Sequence, residues 1–212
     1  MVPACSGIAP EGMPFILLTG LAALVLACIK IPFLAILSLI FCIFSVYFFR
    51  DPERVVPEEA AIAVSPADGR VVQINVRKNP LLDEEQQCIS IFMSVFNVHV
   101  NRVPVDCEVV QMRYFPGKFL NASLDKASED NERCAWLLKE SDGTLWCMVQ
   151  IAGLIARRIV CRSGTGDKLK RGQRCGLIRF GSRVDVYLPK DYKAAVHIGE
   201  TVVAGQTVLA RR

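Results

Sequence analysis

Leu177-Ile178-Arg179-Phe180-Gly181-Ser182-Arg183-Val184-Asp185-Val186-Tyr187-Leu188-Pro189 decides how the larger part of this 212-residue chain is read. From Cys175 to Leu188 the residues form an apolar run rich in β-branched side chains that predicts a strand. Alternation along it places Phe180, Ser182, Val184 and Val186 on one face, and Arg179, Gly181, Arg183 and Asp185 on the other. Ser182 therefore points to an apolar, inward side. A small polar residue in a barrel strand is the ordinary account of it. The chemical account is that a hydroxyl in such a place attacks the preceding carbonyl, with the resulting ester shielded from water. Gly181, lacking a side chain, allows the close approach and backbone strain this requires.

Outward from this stretch the pattern repeats. Ala61–Val64, Arg70–Val76, Cys88–Met93, Cys107–Tyr114, Trp136–Leu138, Leu145–Gln150, Arg158–Cys161 and Thr207–Leu209 are further candidate strands with turn residues between them. Long amphipathic helical patterns are absent beyond residue 50, so the reading is mainly β, a barrel- or sandwich-like domain. Gly166-Asp167-Lys168-Leu169-Lys170-Arg171-Gly172-Gln173 and Gly199-Glu200-Thr201-Val202-Val203-Ala204-Gly205-Gln206 form an internal repeat. Its turns resemble those of the hammerhead barrels of lipoyl- and biotinyl-type domains. The modified lysine of such carriers is not evident, so the likeness is to architecture alone.

The N-terminus is different in kind. Two apolar stretches, Met13–Ile29 and Ile31–Phe49, are separated by Lys30 and Pro32. They reach roughly 25 and 28 Å as helices, against a hydrocarbon core of about 30 Å, so the second comes closer to spanning. A membrane-anchoring helical hairpin over residues 1–49 is the preferred reading; a shallow insertion and a pair of buried core helices are the competitors. Arg50 and Arg54 follow at once and favour a cytoplasmic catalytic domain over residues 50–212. Only Glu11 and Lys30 are charged before residue 50, so the net charge of +4 belongs to the second part. That suits an anionic lipid surface, and the mixed charges predict no nucleic-acid partner. Nine cysteines, an odd number without a CxxC spacing, argue for reduced thiols and against a disulfide framework or a metal site.

The chain has two histidines, His99 and His197, and a histidine can shuttle protons near neutral pH. His99 lies in Phe92-Met93-Ser94-Val95-Phe96-Asn97-Val98-His99-Val100-Asn101-Arg102-Val103-Pro104-Val105-Asp106. Asp68, in Ser65-Pro66-Ala67-Asp68-Gly69, is either an ordinary turn residue or a carboxylate that orients His99 or helps activate Ser182.

These segments, together with Phe48-Phe49-Arg50-Asp51-Pro52-Glu53-Arg54, Tyr114 to Phe119, Asn131-Glu132-Arg133 and Arg179 to Pro189, run in one order along nearly the whole chain. In that set the chain resembles the phosphatidylserine decarboxylase proenzymes of the short bacterial and archaeal type. The resemblance implies self-cleavage between Gly181 and Ser182 and a pyruvoyl cofactor made from Ser182, with no metal. It implies that the amine of phosphatidylserine forms a Schiff base on that group, carbon dioxide leaves, and phosphatidylethanolamine is released. Ser182, His99 and Asp68 are then the catalytic residues. The chains 1–181 and 182–212 stay associated at the cell membrane, with room for a homo-oligomer. Arg102 stands where longer members of the family carry a second histidine, and Cys107 where a glycine often stands. The alternatives are a decarboxylase of another serine lipid, such as archaetidylserine, and a non-catalytic membrane-tethered barrel.

Overall fold

The computed structural model describes residues 7–120, 130–154, 158–179 and 181–212. The chain divides into two compact units, Met1–Glu53 and Arg54–Arg212.

In the first unit, a short 3-10 turn, Pro10–Gly12, leads into helix α1, Met13–Cys28; helix α2, Pro32–Phe48, follows. Lys30, at φ +61°, and Pro32 at the start of α2 make the break between them. The helices pack on each other: Ser38 Oγ donates to the Thr19 carbonyl at 2.8 Å, and Cys42 Sγ faces the Ile16 carbonyl at 3.6 Å. Most of their large apolar side chains are exposed, Leu17, Leu18, Phe33 and Ile43 among them. The order of lengths is the reverse of that expected. The 3-10 turn extends the first stretch to Pro10–Cys28, long and apolar enough to cross a membrane, whereas α2 is the shorter.

The second unit is mainly β. Its strands are β1 (Ile62–Val64), β2 (Gly69–Lys78), β3 (Glu85–Met93), β4 (Val100–Arg102), β5 (Cys107–Phe115), β6 (Arg133–Lys139), β7 (Leu145–Ala152), β8 (Ile159–Cys161), β9 (Lys168–Leu169), β10 (Arg174–Ile178), β11 (Ser182–Tyr187), β12 (Lys193–Ala194), β13 (Thr201–Val202) and β14 (Val208–Arg211). Eight of them form one antiparallel sheet in the order β13-β2-β3-β11-β7-β6-β5-β9; β1-β14-β12 and β4-β10-β8 form two small sheets. The two arms of the internal repeat supply β9 and β13, the opposite edges of the large sheet. Their glycines adopt matched conformations, with φ of +92° and +74° at Gly166 and Gly172, and +92° and +73° at Gly199 and Gly205. A Cβ on Gly205 would lie 3.7 Å from the Cα of Gly172. The turns after the two edge strands thus touch, and the sheet curls into a half-barrel.

Both faces of the sheet are covered. The inner face carries Ile89, Ile91, Met93, Trp136, Leu138, Met148, Val184 and Val186 in one core; the outer carries Cys88, Ala135, Cys147, Val149, Ile151 and Tyr187. Each aliphatic side chain so buried contributes about 1.5–3 kcal/mol.

The run Cys175–Leu188 is not one strand. It breaks into β10 and β11, which belong to different sheets. The cause sits at Gly181, whose φ of +58° is outside the extended region that either strand can continue through. Phe180 lies outside the described residues. From Ser182 onward the alternation holds: Val184 and Val186 join the inner core, and Arg183 and Asp185 take the other side.

That other side is as dry as the first. Arg183 is fully buried and makes a two-pronged ion pair with Asp185, Nε to Oδ1 at 2.5 Å and Nη2 to Oδ2 at 2.9 Å, with Nη2 also on Ser90 Oγ at 2.8 Å. Removing one partner of such a pair strands a buried charge. Asp185→Ala is expected to destabilise the domain by about 3–5 kcal/mol, read as a fall of roughly 10 °C in its thermal midpoint.

Candidate active site

Ser182 opens β11, the strand at the middle of the large sheet. It pairs with Met93 on β3 and with Ala152 on β7. Both neighbours run antiparallel to β11, so β3 and β7 both end at the edge of the sheet where β11 begins. The loops that follow them, carrying Phe96 and Leu154, leave the sheet beside Ser182. Both of those apolar side chains are about two-thirds exposed, Phe96 at 65% and Leu154 at 66%. Ser182 itself is fully buried, and its Oγ has no hydrogen-bond partner among the described residues. A buried hydroxyl left unpaired is unfavourable by about 1–3 kcal/mol and is uncommon without a functional reason. Among the described residues, a Cβ on Gly181 would meet nothing within 4 Å.

His99 lies on the β3–β4 loop, which leaves the sheet after Met93, the β3 partner of Ser182. That loop is fixed by Asn97, whose Oδ1 accepts from both the backbone N–H and the hydroxyl of Ser94 at 2.8 Å. His99 is 1% exposed, and its carbonyl accepts from the Ile178 N–H at 3.4 Å, four residues before Ser182. Its Nδ1 lies 3.0 Å from the Asn97 carbonyl oxygen. A carbonyl only accepts, so Nδ1 carries the proton and the buried Nε2 holds the basic lone pair. His197 is elsewhere, on the surface, with Nδ1 2.8 Å from Glu200 Oε2.

Asp68 precedes Gly69, the first residue of β2, and β2 starts where β3 ends. It therefore lies at the same end of the sheet, but its carboxylate is committed. Oδ2 takes Arg54 Nη2 at 2.8 Å and Oδ1 takes the Ala204 N–H at 2.8 Å. The Asn97 carbonyl bonds to the His99 ring, while the Asp68 carboxylate bonds to Arg54 and Ala204. Arg102 sends Nη1 to the Gly172 carbonyl at 2.8 Å and its N–H to the Pro66 carbonyl at 2.9 Å. A guanidinium stays protonated, so Arg102 brings no base to this position; it ties the repeat turn to β4. Cys107 is buried, with its thiol pushed up to about 12 by burial.

Two further polar residues shape the site and carry no periodic signal in the sequence. Asn131, fully buried, donates to the carbonyls of Leu120 and Ala152 and accepts from the Leu120 N–H, bracing the residue that pairs with Ser182. Gln150 donates to Asn101 Oδ1 at 2.9 Å and accepts from Trp136 Nε1 at 2.9 Å, joining β4 to β6 and β7 two residues along the chain from His99. Among the described residues, no three histidine, cysteine or acidic side chains are grouped to hold a metal.

The sequence model of the phosphatidylserine decarboxylase family matches residues 41–210. The chain is 59% identical, over its whole length and 97% of the relative, to a phosphatidylserine decarboxylase proenzyme of Oleidesulfovibrio alaskensis. It is 55% identical to that of Nitratidesulfovibrio vulgaris, over 97% of the chain and 94% of the relative, and 51% identical to that of Burkholderia mallei, over 96% and 94%.

Proposed function

From the chain's membership of the phosphatidylserine decarboxylase family, we propose that Ser182 is at once the self-cleavage nucleophile and the source of a pyruvoyl group, with His99 moving the proton in turnover. The enzyme is a lyase of phospholipid biosynthesis made as a proenzyme. The observation that carries the residue assignment is Ser182 Oγ, a buried hydroxyl without a hydrogen-bond partner among the described residues, directly after a glycine at φ +58°.

In maturation Ser182 Oγ attacks the Gly181 carbonyl, and the peptide nitrogen leaves it, so the amide becomes an ester. Loss of the α-proton of Ser182 then expels the Gly181 carboxylate, and hydrolysis of the resulting dehydroalanine releases ammonia. The apolar surroundings of Ser182 slow the competing attack of water on the ester. The fit to a pyruvoyl group is steric as well as chemical: among the described residues Oγ is buried without a partner, and no atom lies within 4 Å of where a Gly181 Cβ would stand. Once formed, that group supplies an electron sink for decarboxylation. The basic Nε2 of His99 takes up a proton and delivers it to the carbon that has lost carbon dioxide. Asp68 has a narrower part than a catalytic carboxylate: it holds Arg54 and the Ala204 turn, and so positions the Ser65–Gly69 segment.

The substrate follows from the family, and its route from the surface. Phe96 and Leu154 place exposed apolar side chains beside Ser182, suited to the acyl border of a bilayer from which a head group enters. The apolar helices α1 and α2 support attachment to the cell membrane, with the β domain on the cytoplasmic side. The two chains stay together because every residue of β11 pairs on both sides, with β3 and with β7.

Intact mass under denaturing conditions tests this reading. Two chains, 1–181 and 182–212, are expected, the smaller lighter by one ammonia than a chain beginning with serine. A purified, active enzyme of full, uncut mass would overturn it.

A further inference from the structure

Cys134 and Cys161 are 27 residues apart in the sequence and bear no motif, yet their sulfurs lie 3.7 Å apart. Cys134 is on β6, 4% exposed and packed in the inner core; Cys161 ends the three-residue strand β8 and is open to solvent. We infer that these two thiols are an oxidation site, closing to a disulfide when a peroxide reaches Cys161. Closure from 3.7 Å to a bond of about 2.05 Å requires a movement of roughly 1.7 Å, which the exposed end of a short strand can supply.

The two thiols are unequal in the way the reaction needs. A hydrogen bond from Cys134 holds the Cys161 thiol below its ordinary value, while the same bond and burial push Cys134 up. The exposed sulfur is thus the better thiolate and the buried one keeps its proton. Burial pushes up the thiols of Cys88, Cys107, Cys147 and Cys175, which leaves them poor competitors. The Cys161 thiolate attacks one peroxide oxygen and expels hydroxide, giving a sulfenic acid. The Cys134 sulfur then displaces its oxygen, which leaves as water. Two thiols lose two electrons and two protons, and one hydrogen peroxide becomes two waters. Cys161 also lies 3.8 Å from Gln150 Oε1, so closure acts on the Gln150–Asn101 link between β7 and β4.

The test is mass spectrometry of the full protein after mild hydrogen peroxide treatment. Loss of two hydrogens, a peptide linking Cys134 to Cys161, and reversal by dithiothreitol are expected. Cys134→Ser should give no link and a sulfenic acid at Cys161 that a dimedone probe traps. Peroxide that leaves Cys161 unmodified, drives it to sulfinic acid without a link, or joins another pair in its place would overturn the proposal. Both cysteines precede residue 181, so the result is the same whether or not the chain is cut.

Discussion

Ser182→Ala is expected to yield a single chain of 212 residues with no carbonyl group and no measurable decarboxylation, a loss of about ten-thousandfold or more. The size of the effect comes from what is removed. On the proposed chemistry the electron sink is made from this side chain, and its loss removes that sink outright. The same substitution should not harm the fold. It deletes a buried hydroxyl that has no partner among the described residues, so the variant should be as stable as the uncut parent or about 1–2 kcal/mol more so. Mass, lipid turnover and thermal midpoint on one preparation separate these outcomes. An uncut but unfolded variant would make Ser182 a packing residue. A cut variant would place the nucleophile elsewhere.

His99→Ala is expected to lower turnover by about a hundredfold to ten-thousandfold, the range for losing a positioned proton-transfer group. The effect must be read per matured molecule, because loss of His99, a proton-transfer group on the loop after β3, is also expected to slow the cut. The fraction of pyruvoyl chain, counted by mass, normalises the rate of carbon dioxide release. Full turnover by the matured variant would remove His99 from the mechanism. A second variant, His99→Gln, keeps a hydrogen bond to Asn97 without a titrating nitrogen, and should be as impaired in turnover while holding the loop.

Much of this arrangement was legible in the chain itself. The two apolar stretches became α1 and α2 within a residue at each end, because continuous apolarity and the Lys30–Pro32 break leave few options. The paired G-[DE]-x-[LV]-x-x-G-Q segments were visible as a repeat, and their glycines adopt the same pair of conformations. Strand β11 was legible by alternation from Ser182 onward. The break before it was not, since apolar residues continue through Ile178 and only a backbone angle at Gly181 divides the run. The burial of Arg183 and Asp185 was hidden for a related reason: alternation assigns a face, and this sheet has two covered faces. The commitment of Asp68 to Arg54 is a contact between two residues outside the strands, 14 apart in sequence, which no periodic pattern encodes. The same is true of the Cys134–Cys161 approach, where β6 and β8 come from separate sheets.

The placement of β11 has a consequence for the life of the matured enzyme. Under the proposed processing, a cut at the first residue of the central strand would turn one folding molecule into two that fold only together. Refolding after denaturation becomes a second-order encounter between a long fragment and a short one, so the melting temperature should depend on protein concentration where that of the proenzyme does not. The unfolded fragments no longer share a tether, and the short one carries a reactive ketone at its end. The mature enzyme then persists by the slowness of its unfolding and not by the ease of its return.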